Sequence, residues 1–82
     1  MINLEVLNDT RNAILRLVYS HRVISQSDVI TLMESLYPEL SSHTTLALSE
    51  LVQANSIKRY EYTSNENRRD EFYLPYGYKI IL

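Results

Sequence analysis

Among its 82 residues the chain has no cysteine, one glycine, two prolines and no excess of positive charge. Without cysteine there are no disulfides and no thiolate metal ligands, which fits a reducing compartment. A single glycine leaves no glycine-rich cradle for a phosphate group. So few glycines and prolines also mean few breaks, as in a helical domain with little linker. No stretch reaches the roughly 20 apolar residues of a membrane span. The first residues lack the basic segment and apolar run of a signal peptide. A soluble, cytoplasmic protein with no membrane partner is therefore expected. Eight Lys and Arg against ten Asp and Glu give a formal charge of −2. The basic balance that usually accompanies nucleic-acid binding is absent, so any such role must rest on a local patch.

What remains is one small domain. A chain of this length buries only about 60% of its unfolded surface, so its stability margin is thin and a partner subunit would help. No internal repeat or low-complexity run interrupts it. Residues 1–8 are ambiguous: Ile2, Leu4 and Val6 alternate with Asn3 and Glu5 as in a strand, and an arm or an extra helical turn fits as well. A first helix is expected from about Asp9 to His21, capped by Asp9 or Thr10. Its apolar stripe is Ile14, Leu15, Leu17 and Val18, with Arg11, Asn12 and Arg16 facing water. Val23-Ile24 forms a short apolar step. Ser25 then offers a cap with Asp28 three positions on, opening a second helix over about Ser27 to Leu36 with Val29, Ile30, Met33 and Leu36 inward. Pro38 forbids its continuation.

Ser41-Ser42 supplies another cap, and a third helix is expected from about Ser42 to Ala54. Thr44, Leu48, Leu51 and Val52 fall on its inner face. Asn55 stands where a helix favours a left-handed residue after its end. Residues from Ile57 to Thr63 alternate and are rich in tyrosine, the pattern of a strand. Ser64 to Asn67 is turn chemistry, and Arg69 to Leu74 reads as the returning strand. The tail from Tyr76 to Leu82 is apolar enough to dock, with a dimer contact as one use.

This order of helix, step, helix, turn, helix and hairpin resembles the winged helix-turn-helix repressors, such as the MarR and Fur families, over about residues 9–75. The best-matching part runs from Ser42 to Arg59: a small polar start, Leu48-x-x-Leu51, a turn with Asn55 where those families usually carry Gly, then Ile57 and the basic Lys58-Arg59. The resemblance implies a mainly helical α+β fold of three helices and a C-terminal β-hairpin wing. The Fur-like metal ligands have no counterpart, since His21 and His43 are the only histidines, and the third helix lacks the Arg or Lys such helices often present.

In a DNA-binding member the third helix would enter the major groove. A wheel with Leu48 inward places Ser42, His43, Leu46, Ser49, Glu50 and Gln53 outward. Gln53 matches adenine, Ser42 and Ser49 match base or phosphate, and Leu46 matches a thymine methyl. Glu50 can accept from cytosine but repels phosphates. A purely solvated face, or one that meets a protein, accounts for the same residues. Around the turn, Asn65, Asn67, Arg68 and Arg69 suit the minor groove or phosphates, and Lys58 and Arg59 extend a basic edge. Over residues 56–69 these four basic residues outweigh Glu61 and Glu66, whereas residues 1–40 carry three basic and five acidic side chains. A plain solvated hairpin is the alternative. Tyr60, Tyr62 and Tyr73 suit cross-strand pairs, and Tyr76 and Tyr78 an interface. His21 and His43 have no ligand spacing, and no nucleophile–base set or paired-acid motif appears. No enzyme, cofactor or metal is expected. The partners expected are double-stranded DNA and a second copy of the chain, with a protein partner as the rival.

Overall fold

Asn3 sits in extended backbone and its side chain accepts from the Val6 amide at 3.1 Å, capping the first helix, α1 (Leu4–His21). The computed structural model describes residues 3–63 and 68–75. Of the three readings open for residues 1–8, Leu4 to Asn8 take the helical one. The helix therefore starts before Asp9, and the cap expected of Asp9 or Thr10 is made by Asn3. Thr10 is instead fully buried, its hydroxyl donating to the Val6 carbonyl at 2.7 Å with the Leu40 carbonyl at 3.4 Å. The inner stripe is Leu7, Thr10, Ala13, Ile14, Leu17 and Val18, with Leu15 partly covered.

At the end of α1, Arg22 takes φ 66° and ψ −51° while its amide still bonds the Val18 carbonyl at 2.8 Å. This turn feeds β1 (Val23–Ser25), so the short apolar step is a strand. Ser25 then accepts from the Asp28 amide at 3.2 Å and caps α2 (Gln26–Leu36), as its spacing to Asp28 predicts. Val29 and Met33 are fully buried, but Leu36, expected inward, is 57% exposed. The helix ends before Leu36 reaches the core, because Tyr37 must leave the helical basin ahead of Pro38 (φ −135°).

A 3-10 turn (Ser41–His43) precedes α3 (Thr44–Gln53). Ser42 belongs to this turn and makes no side-chain cap. After α3, Asn55 takes φ 59°. The Ser56 amide reaches back to the Leu51 carbonyl at 2.9 Å and the Asn55 amide to that of Val52 at 3.1 Å. This pair of bonds is the left-handed C-terminal cap expected from Asn55. It delivers Ile57, fully buried, into the core as the chain turns toward β2 (Lys58–Thr63).

β3 (Arg68–Tyr73) lies between β1 and β2, antiparallel to both. The register places Ile24, Phe72 and Arg59 in one row. Because side chains alternate between faces, Ile24 and Phe72 turn inward together, each 3% exposed. The core joins them to Ile14, Val18, Val29, Met33, Ala47, Leu48, Leu51 and Ile57. Full burial of each of these side chains larger than alanine stabilises the fold by roughly 1.5–3 kcal/mol relative to exposure. The result is an α+β fold, mainly helical, with three helices and a three-stranded antiparallel sheet. This layout is compatible with a winged helix. Among the described residues no helix is long and apolar enough to cross a membrane.

Candidate nucleic-acid interface

The side of α3 away from the core carries Thr45, Leu46, Ser49 and Gln53, all exposed. At 100° per residue these four fall within an arc of about 100°. Thr44, Ala47, Leu48 and Leu51 fill the opposite arc and are buried. None of the four outward residues is charged. Among the described residues the side chains of Thr45, Ser49 and Gln53 have no hydrogen-bond partner, so their donors and acceptors are open to a ligand.

Thr45 is absent from the sequence-predicted set. A wheel centred on Leu48 leaves it near the boundary, whereas burial centres closer to Thr44 and Leu51 and turns Thr45 outward. The signal was its spacing of four from Ser49 and eight from Gln53. Ser42 and His43 do not share this stripe. They sit in the preceding 3-10 turn, where the Ser42 Oγ lies 3.0 Å from the His43 Nδ1.

Glu50, expected outward, leans toward α1, where the Arg11 guanidinium donates to its Oε1. Arg11, expected to face water, is thereby half-buried against α3. This pair sets the only acid of α3 beside a cation at the edge of the exposed stripe.

Along the other edge runs a cleft of about 350 Å³ between α3 and the sheet, lined in part by Gln26, Thr45, Ser49, Gln53, Arg59 and Asp70. Arg59 shares the inward row of Phe72 and Ile24. Its guanidinium stands 4.0 Å from the Asp70 carboxylate. Lys58, next along the strand, belongs to the opposite face, and its Nζ donates to the Asn55 Oδ1 at 3.2 Å. Lys58 and Arg59 therefore do not form one basic edge. The hairpin is also less basic than the window over residues 56–69 suggests. The register sets Asp70 opposite Glu61 and Glu71 opposite Tyr60. Over residues 58–73 the four basic side chains are matched by Glu61, Glu66, Asp70 and Glu71.

Arg68 and Arg69 begin β3, in register with Thr63 and Tyr62. Asn65 and Asn67, with the rest of the expected turn, lie outside the described residues, as do Tyr76, Tyr78 and the tail. The register sets the backbone of Tyr60 opposite Glu71, of Tyr62 opposite Arg69, and of Tyr73 opposite Val23 and Lys58, so each tyrosine occupies a cross-strand position. His21 closes α1 with its Nδ1 2.9 Å from the Leu17 carbonyl, the helix-end position expected of it. Among the described residues no three His, Cys, Asp or Glu side chains are grouped to hold a metal ion.

No protein-family model, curated protein or solved structure matches the chain. The site's chemistry has to be read from its own side chains. It offers an uncharged row of hydrogen-bonding and methyl-bearing groups on the exposed side of α3. A mixed-charge hairpin stands beside that row.

Proposed function

We propose that the chain is a sequence-specific double-stranded DNA-binding protein, a small transcriptional regulator acting as a homodimer in the cytoplasm, with no enzymatic activity and no cofactor. One observation carries this reading: α3 holds Thr45, Ser49 and Gln53 exposed and, among the described residues, unpartnered, while Glu50, the residue that would repel phosphates, is paired with Arg11. A helix of this width fits the major groove, and in this reading the hairpin beside it would meet the sugar-phosphate backbone. The resemblance to winged helix-turn-helix repressors points the same way. Two copies related by a two-fold axis would set their α3 helices roughly 34 Å apart, one turn of duplex. The near-neutral hairpin leaves few phosphate contacts, so one chain alone binds weakly and with a shallow salt dependence.

The test is fluorescence anisotropy of the purified chain with a pool of random duplexes, at low and near-physiological salt, with its mass by light scattering in parallel. Salt-sensitive binding by a dimer is the expected result. An absence of binding at low salt, where non-specific affinity is greatest, overturns the reading.

A second reading, a protein-interaction module, has its own observation. The outer face of the sheet exposes Val23 (55%), Tyr60 (55%) and Tyr73 (38%), with Val23 and Tyr73 directly paired across β1 and β3. Exposed aromatic residues on a sheet face suit a protein partner. A chain that ignores duplex at every salt concentration yet binds a protein through this face would establish the rival.

A further inference from the structure

We infer that α3 selects A·T-rich base steps in the major groove. The inference rests on the DNA-binding reading above and names the sequence class that reading leaves open. Its ground is the chemistry present on the outward arc of α3 and the chemistry missing from it.

Guanine is read chiefly by Arg or Lys, whose donors match its O6 and N7 acceptors, and cytosine by Asp or Glu, which accept from its N4 amine. The outward arc of Thr45, Leu46, Ser49 and Gln53 contains neither kind. The one carboxylate of the helix, on Glu50, is engaged by Arg11. The nearest guanidinium in the cleft, on Arg59, is set back on β2 and faces Asp70. What the arc does carry is matched to the A·T pair. The Gln53 side-chain amide both donates and accepts, as the adenine N7 and N6 edge requires. Leu46, 39% exposed, and the Thr45 methyl are apolar groups of the kind that meet the thymine C5-methyl. Ser49, between Thr45 and Gln53 on the same row, bonds any base and fixes register rather than identity.

The geometry adds an order to this chemistry. Thr45, Ser49 and Gln53 are one helical turn apart, about 6 Å per step, so they meet successive base pairs along the groove. Leu46 flanks the row on the side toward Glu50.

The experiment is selection of preferred sites from random duplex with the full chain, followed by affinity measurement on the selected site. Thymines are then replaced one at a time by deoxyuridine, which removes only the C5-methyl. The selected core is expected to be A·T-rich. At least one deoxyuridine substitution should weaken binding about threefold to tenfold, close to the transfer free energy of one methyl group. Gln53→Ala should erase an adenine preference of about 5- to 150-fold at one position, and leave the far-UV circular dichroism unchanged because Gln53 is exposed. A G·C-rich core overturns the inference while leaving the DNA-binding reading intact, as does indifference to every deoxyuridine. Failure to retain any duplex at low salt overturns both.

Discussion

Arg22 is the most informative single position for stability. Its backbone has φ 66° and ψ −51°, close to the γ-turn geometry that is rare and strained for residues bearing a Cβ. Such a conformation costs about 1–3 kcal/mol. Glycine there would release roughly 2 kcal/mol of strain. It would add about 0.7 kcal/mol of unfolded-state entropy. It would also remove a cation from the C-terminal end of α1, worth about 0.3 kcal/mol at an exposed site. The net expectation for Arg22→Gly is a gain of about 1 kcal/mol. For a domain of this size that raises the thermal midpoint by roughly 4–8 °C. Arg22→Ala is the control, because it loses the cation and keeps the strain, and it should be slightly less stable than the parent. Thermal and urea unfolding of the three proteins, followed by circular dichroism, decide the matter. A glycine variant no more stable than the alanine variant would show that Arg22 stores no strain. Asn55→Gly at the other left-handed position should gain less, since Asn tolerates that region and its side chain already accepts from Lys58.

The same substitution at two buried threonines should have opposite signs. Thr10→Val loses a hydroxyl that donates to Val6 and should cost about 1 kcal/mol. Thr44→Val removes a buried hydroxyl with no partner among the described residues and should be neutral or stabilising by up to about 1 kcal/mol. Comparable losses at both sites in urea unfolding would mean that the Thr44 hydroxyl is satisfied. The Arg11–Glu50 pair leaves 32% and 38% of its side-chain surfaces exposed. A double-mutant cycle should therefore return a coupling below about 1 kcal/mol, and a value above 2 kcal/mol would point to a stiffer, drier contact than this exposure allows. Arg68→Ala combined with Arg69→Ala should weaken duplex binding across all sequences and flatten the plot of log affinity against log salt by up to about 2 units; unchanged binding to random duplex would remove the hairpin from the interface.

Much of the fold was legible because it rests on short-range rules. Ser25 and Asp28 marked the start of α2, and Asn55 marked the cap of α3, since each satisfies backbone groups within five residues. The inward residues Ile14, Val18, Val29, Met33, Leu48 and Leu51 follow from the helical period alone. The errors at helix ends have local causes too: Asn3 competes with Asp9 as a cap and lies earlier, and Leu36 sits in the last turn before Pro38, beyond the reach of the core.

Sequence by itself determined the inner faces of the three helices, the absence of cysteine chemistry and the two strands of the hairpin. Tertiary structure alone decided three things. It made Val23–Ser25 a strand, because a three-residue segment has no stability of its own and forms only when β3 supplies partners. It brought Asp70 to Arg59 across the sheet, so the charge of the hairpin depends on register rather than on a window of neighbours. It also turned Glu50 to Arg11, 39 positions away, which changes the surface that α3 presents to a ligand. Contacts between residues so far apart leave no local pattern, because their geometry exists only once the core has packed.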